Sequence, residues 1–138
     1  MFNFKTTVVF VLLAALCCHA KFTNRQLKIL HNYIDGCASD LGIKDFDKLE
    51  LLAVAGRQTT PSENFVKILH CLFLSADFVS CDGTVQGDNF TAFIADGHNN
   101  MDQLPAALKS CVDGLKGTPE ERSFQLYRCM FGQHKFEM

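Results

Sequence analysis

The sequence predicts an all-α fold, in which about six short helices form one domain that is stapled by disulfides. Apolar residues recur three and four positions apart along almost the whole chain, which is the spacing of one face of an α-helix. No segment alternates between apolar and polar residues as a half-buried strand does. Several cysteines also fall on the apolar faces, where they could join packed helices. One compact helical domain is therefore expected over residues 21–138.

The first twenty residues, MFNFKTTVVFVLLAALCCHA, have the pattern of a secretory signal peptide. Lys5 precedes an unbroken apolar run from Val8 to Leu16, and small residues lie near Ala20. This run is shorter than a membrane-spanning helix requires, and no later segment is longer. We therefore expect a signal peptide at residues 1–20, cleavage after Ala20, and a secreted, extracellular product that does not insert into a membrane.

The charge balance and the motif content exclude several classes of function. Without Lys5 the chain has 12 basic and 15 acidic side chains, and the basic ones form no stripe, so nucleic acid is not expected as a partner. Signatures of a nucleophile elbow, a phosphate loop or a zinc site are missing, and DGTVQGD lacks the order of an EF-hand. We expect no catalytic residue, no metal and no cofactor.

Three helices are predicted in the first half of the domain. Thr23 or Asn24 caps the first and Gly42 ends it, and its apolar positions are Leu27, Leu30, Ile34, Cys37, Ala38 and Leu41. The second is shorter and stops near Gly56, with Phe46, Leu49, Leu52 and Ala53 on one side. Ser62 starts the third, whose apolar face consists of Phe65, Ile68, Leu69, Leu72, Phe73 and Ala76.

Three further helices are predicted in the second half. The fourth spans about 87–95 with Phe90, Phe93 and Ile94 on one face, and Asp96-Gly97 closes it. The fifth ends at Gly117 and carries Met101, Leu104, Leu108, Cys111, Val112 and Leu115. Thr118 caps the sixth, Pro119 fits its first turn, and its apolar residues are Phe124, Tyr127 and Phe131.

Five cysteines follow the predicted signal peptide, and counting alone leaves 15 ways to form two disulfides from them. If residues 64–80 formed one helix, Cys71 and Cys81 would lie about 15 Å apart, whereas a disulfide requires Cα atoms within roughly 7 Å. Cys37 and Cys71 lie on helix faces that can pack together, and Cys111 and Cys129 lie on consecutive helices. These positions favour the disulfides Cys37–Cys71 and Cys111–Cys129, with Cys81 as a free thiol.

This cysteine spacing resembles that of insect odorant-binding proteins, the pheromone- and general-odorant-binding group. Members of that family are secreted six-helix carriers with six cysteines, joined first to third, second to fifth and fourth to sixth. Cys37, Cys71, Cys111 and Cys129 match the first, third, fourth and sixth, and the 39 residues between Cys71 and Cys111 fit the family's range. The resemblance covers the whole chain after the signal peptide and includes HCLFLS and CDGTV.

Lys67 and Glu120 stand where the second and fifth cysteines of the family would lie. The joint absence of that pair is the mark of the C-minus subclass, which keeps four framework cysteines. One hypothesis is that the two opposite charges form an ion pair across the same contact, and the alternative is that they are unrelated surface charges. An exposed ion pair would stabilise the fold by ~0–1 kcal/mol, less than the ~2–4 kcal/mol of a disulfide.

The resemblance implies an internal apolar cavity walled by the first, fourth, fifth and sixth helices, with the third behind it. The candidate ligand-binding residues are Leu30, Ile34, Leu72, Phe73, Phe90, Ile94, Leu108, Val112, Phe124, Tyr127 and Phe131. The Tyr127 hydroxyl is a candidate polar contact for a ligand, or else it satisfies a backbone carbonyl. The implied function is a secreted carrier that reversibly binds small hydrophobic molecules such as odorants or pheromones, with a membrane receptor or a second copy of the chain as further candidate partners.

The sequence leaves three alternatives open. The first keeps the fold in a haemolymph or glandular lipid carrier that has no part in olfaction. The second is a secreted protein-interaction module whose core is filled, and the third is a secreted enzyme. One motif stands apart from all of them, because Asn89-Phe90-Thr91 is an N-glycosylation sequon. Phe90 is predicted on a buried helix face, which argues against its use.

Overall fold

A computed structural model describes residues 22–44, 62–99 and 101–132. Its five α-helices are α1 (Asn24–Leu41), α2 (Glu63–Ser75), α3 (Gly87–Ala95), α4 (Leu104–Asp113) and α5 (Pro119–Tyr127), and a π-helical turn, Arg128–Gly132, follows α5. The described residues contain no strand, only an isolated bridge between Val79 and Val85. The all-α prediction is confirmed. The predicted signal peptide, the second predicted helix and the C-terminal tail lie outside the described residues.

Local side-chain chemistry sets the helix ends. Thr23 caps α1 in a capping box, since its hydroxyl accepts from the Gln26 N–H at 3.1 Å and the Gln26 side chain accepts from the Thr23 N–H at 2.9 Å. Gly42 ends α1 in the left-handed conformation that glycine adopts easily. Ser62 and Thr118 cap α2 and α5 in the same hydroxyl-to-backbone manner. These positions agree with the predicted helix starts.

Two predicted helices are shorter in the structure than the apolar pattern indicated. The fifth predicted helix corresponds to α4, which begins at Leu104 and ends at Asp113, before the predicted end at Gly117. Met101 precedes it in a turn, where its carbonyl oxygen accepts from the Leu104 N–H. A continuous helix over 64–80 is wrong, since α2 ends at Ser75 and Asp77 has a left-handed φ of 58°. The chain turns there, so Cys81 lies in a loop beyond the helix.

Two disulfides link helical elements of the described residues. Cys37–Cys71 joins α1 to α2, and Cys111–Cys129 joins α4 to the π-helical turn, each with its Cα atoms 5.8 Å apart. Cys81 is free and exposed. The core contains apolar side chains from all five helices and from the segment after α2. None of the helices in the described ranges is long and apolar enough to cross a membrane.

Candidate ligand-binding site

An apolar cavity lies inside the molecule, where α1, α2, α3, α5 and the π-helical turn converge. Its lining consists of Phe22, Leu30, Leu72, Phe73, Phe78, Phe90, Phe93, Ile94, Tyr127 and Phe131, here named the inner cluster. The Phe78 ring is central, with its centroid 5.1 Å from that of Phe90, 5.3 Å from that of Phe93 and 5.5 Å from that of Phe73. The cavity volume is about 10 Å³, close to the room that one water molecule needs. The rings therefore fill nearly all of the interior in this conformation.

The structure distributes the eleven candidate ligand-binding residues over three places. Seven belong to the inner cluster: Leu30, Leu72, Phe73, Phe90, Ile94, Tyr127 and Phe131. Ile34 and Phe124 are buried in the core beside it, and Phe124 packs edge-on against Phe65 at 6.2 Å between ring centroids. Leu108 and Val112 line a different cavity on the outside of the molecule.

Three members of the inner cluster were not among the sequence candidates. Phe78 follows the end of α2, where helical periodicity carries no information about side-chain direction. Phe22 precedes the cap of α1, so the same signal does not reach it. The helical pattern predicts Phe93 on the apolar face of its helix but does not show that it lines a cavity. Phe22 and Phe131 are only half-buried and their ring centroids are 5.5 Å apart, so this pair is where the inner cluster reaches the surface.

The second cavity is an open groove between α3 and α4 with a volume of about 540 Å³. Its lining, here named the outer groove, consists of Val85, Gly87, Asp88, Thr91, Ala92, Pro105, Leu108, Lys109 and Val112. It differs from the inner cluster in carrying two charged side chains and in being open to solvent. Water therefore competes for the polar groups of this groove, whereas the lining of the inner cluster is apolar apart from one tyrosine.

Gln26 forms several buried hydrogen bonds at one end of the inner cluster, beside Phe93 and Ile94. Its side chain has no exposed surface. Its Nε2 donates to the carbonyl oxygens of Phe93, Ile94 and Asp96 at 2.7, 3.2 and 3.1 Å. Its Oε1 lies 3.0 Å from the His98 Nε2, which donates to it in the matching tautomer. These bonds fix the start of α1 against the end of α3 and leave no buried amide group unsatisfied.

Tyr127 carries the only hydroxyl group of the inner cluster. Burial raises the pKa of this phenol far above its ordinary value of 10.0, because the ionised form would lose its hydration. The hydroxyl is therefore protonated at any physiological pH. It is the one side-chain hydroxyl among the residues that line the inner cluster.

The contact between α2 and α5 is polar at the positions of the missing disulfide. Lys67 pairs with Glu63 on its own helix at 2.9 Å between Nζ and Oε1, so the hypothesis of a Lys67–Glu120 ion pair is wrong. Glu63 lies one helical turn away and reaches the ammonium directly. The hydrogen bond and charge of Glu63 raise the pKa of Lys67, and Glu120 adds only a minor attraction. One turn further along α2, the His70 Nδ1 lies 2.7 Å from the Ser123 Oγ.

A family model of the PBP/GOBP family matches residues 19–133. No curated protein and no solved structure gave a significant match. In the described ranges, no group of three or more histidine, cysteine or acidic side chains is placed to hold a metal ion.

Proposed function

Because the chain belongs to the PBP/GOBP family, we propose that it is a secreted carrier that reversibly binds small hydrophobic molecules such as odorants or pheromones. The observation that carries this proposal is the inner cluster, a largely buried set of aromatic and aliphatic side chains that includes a single hydroxyl. Such a site suits an apolar molecule with one polar group. The proposal includes removal of residues 1–20 as a signal peptide.

We also place the chain in the C-minus subclass of the family. Two disulfides, Cys37–Cys71 and Cys111–Cys129, occupy the positions that the four remaining cysteines imply. The contact between α2 and α5 supports the assignment, since Lys67 on α2 and Glu120 in the first turn of α5 lie on two helices that pack together.

Ligand binding requires the inner cluster to expand. Sites for small organic molecules have volumes of about 300–1,000 Å³, far above the 10 Å³ of the present cavity. A ligand must therefore separate the rings, and it replaces their mutual contacts with contacts to itself. Burial of its apolar surface contributes about 25 cal/mol per Å², which offsets the cost of separating the rings. Reversible binding is the expected result of these opposing contributions.

A second candidate function is a protein-interaction module, and the small volume of the cavity favours it. A core that is filled by its own aromatic residues needs no ligand to complete its packing. In that case the aromatic residues are structural, and no apolar molecule enters.

Displacement of a fluorescent apolar probe separates the two functions. A carrier binds the probe and releases it when fatty acids, terpenoids or long-chain alcohols are added, whereas correctly oxidised protein that binds none of these would be the module. Two half-buried residues locate the site, Phe131 in the inner cluster and Val112 in the outer groove. We expect Phe131→Ala to change probe affinity and Val112→Ala to leave it unchanged. The reverse result would place the binding site in the outer groove.

Tyr127→Phe tests how the site distinguishes ligands. The substitution removes the one hydroxyl of the inner cluster and leaves its shape nearly intact. Loss of one hydrogen bond should weaken the binding of an alcohol roughly two- to tenfold. The affinity for a hydrocarbon of the same length should not fall. Equal effects on both ligands would mean that the hydroxyl does not contact the ligand.

A further inference from the structure

Asn89, in the first turn of α3, has an exposed side chain within the Asn89-Phe90-Thr91 sequon. Its neighbour Phe90 is completely buried. That burial does not oppose modification, because oligosaccharide is transferred to a chain that has not yet folded, and the finished fold must only leave room for the glycan. Exposure of Asn89 in the folded protein is therefore the relevant criterion, and the structure meets it.

The hydrogen bonding of Asn89 is compatible with an attached glycan. Its Nδ2 donates to the carbonyl oxygen of Asp77 at 3.1 Å, in an exposed position. A side-chain amide nitrogen has two hydrogens, and this bond uses one of them. A glycosylated amide loses one hydrogen and keeps the other. The glycan and the bond to Asp77 can therefore exist together, and the turn after α2 keeps its link to α3.

The Asn89 side chain lies outside both cavities. On α3 the residues Phe90, Phe93 and Ile94 belong to the inner cluster, whereas Asn89 is exposed and lines neither cavity. A glycan attached here therefore begins in solvent and not inside either cavity.

We propose that Asn89 is an N-glycosylation site, modified by a polyprenyl-diphosphate-linked oligosaccharide in the secretory pathway. The transfer joins the Asn89 Nδ2 to the anomeric carbon of the sugar and breaks the bond between that carbon and the diphosphate. Polyprenyl diphosphate leaves, and Nδ2 releases one proton. The proposal rests on the secretory route of the proposed function but not on ligand binding.

The test is expression of the full chain in cultured insect cells, followed by intact-mass measurement of the protein in the medium. We expect wild type to carry glycan mass that peptide N-glycosidase removes, with conversion of Asn89 to aspartate. Thr91→Ser keeps the sequon and should be modified. Thr91→Ala and Asn89→Gln lose it and should not be, and either variant suffices if the other is not secreted. Secreted wild type without glycan, from cells that glycosylate a reference protein, would overturn the proposal.

A second version of the gene, with a borrowed secretory leader in place of residues 1–20, separates this proposal from the proposed function. Glycosylated protein that reaches the medium only with the borrowed leader would contradict the native signal peptide and support the Asn89 site. Probe displacement on enzymatically deglycosylated protein tests the carrier function independently of the glycan.

Discussion

The helix α2 contacts two neighbours, and the two contacts are held in different ways. On one side the disulfide Cys37–Cys71 joins it to α1. On the other side, towards α5, the structure shows a hydrogen bond between His70 and Ser123 and the ring contacts Phe65–Phe124 and Phe73–Tyr127, without a disulfide. A covalent bond persists through fluctuations that break one hydrogen bond. Of these two contacts, we expect the α2–α5 contact to separate more easily, because no disulfide joins it.

This difference has a functional consequence. Phe73 on α2 and Tyr127 on α5 both belong to the inner cluster, and their ring centroids are 6.0 Å apart. A small separation of α2 from α5 moves these rings apart and enlarges the cavity between them. The absence of the third family disulfide thus places the less constrained contact beside the proposed ligand site. Four changes test the comparison.

Removing the Cys37–Cys71 disulfide should have the largest effect on stability. The double substitution Cys37→Ser/Cys71→Ser opens a link across 34 residues of sequence, and we expect it to lower the free energy of unfolding by about 2–5 kcal/mol. Urea unfolding followed by circular dichroism measures the change. Cys81→Ser is the matched control, since this exposed thiol has no disulfide, and it should change stability by less than about 0.5 kcal/mol. If the double variant were as stable as the control, the disulfide would not be what holds α2 against α1.

Adding a disulfide between α2 and α5 should remove the difference between the two contacts, because both would then be covalent. Lys67→Cys/Glu120→Cys restores the family's missing cysteine pair, and the new disulfide should raise the free energy of unfolding by about 2–4 kcal/mol. If ligands enter by separation of α2 from α5, this protein should also take up the apolar probe more slowly. The control Lys67→Ser/Glu120→Ser loses the Lys67–Glu63 pair as well, which accounts for about 0.3–0.5 kcal/mol.

Two results would count against this second prediction. Failure of the thiols to join in oxidised protein would contradict the placement of Lys67 and Glu120 at the missing cysteine positions. A disulfide that forms and stabilises the protein, but leaves probe uptake unchanged, would show that the entrance lies elsewhere. The half-buried pair of Phe22 and Phe131 would then be the next place to examine.

The existing hydrogen bond on the α5 side should contribute less. Ser123 is 1% exposed, and its Oγ is 2.7 Å from the His70 Nδ1. Ser123→Ala should lower the free energy of unfolding by about 0.5–1.5 kcal/mol, because His70 is partly exposed and water can replace the lost partner. Ser110→Ala, at an exposed position of α4, is the control and should have almost no effect. Equal stabilities of the two variants would mean that this hydrogen bond does not hold the contact.

Helix ends were predictable from the sequence because their causes are local. Thr23, Ser62 and Thr118 act on backbone groups within three residues, and α3 has the predicted bounds of 87–95. Met101 was assigned wrongly because an apolar residue in a turn can match helical spacing by chance. The correct helix ends and the wrong assignment of Met101 both come from a sequence pattern that extends over only one or two helical turns.

The candidate site was predictable only in part, because periodicity identifies buried faces and not the walls of a cavity. Leu108 has the correct spacing for the inner face of α4, yet it borders the outer groove. Phe78 has no periodic neighbours, and the turn at Asp77 brings its ring into the centre of the inner cluster. The positions of such residues depend on how segments that are distant in the sequence pack together. A local sequence pattern does not contain that information.

Acidification should weaken the α5 side through His70. Burial lowers the pKa of His70 below its ordinary value of 6.5, and the charge of Glu120 opposes this only in part. The unfolded chain therefore binds the proton more readily than the folded one does. Stability that His70 confers is complete above 6.5, decreases as the pH falls through 6.5, and stops changing below the lower pKa of the folded state. His70→Gln has no such titration, so its melting temperature should fall less than that of wild type between about pH 7.5 and about pH 5. Identical decreases in melting temperature would show that protonation of other groups accounts for the whole acid response.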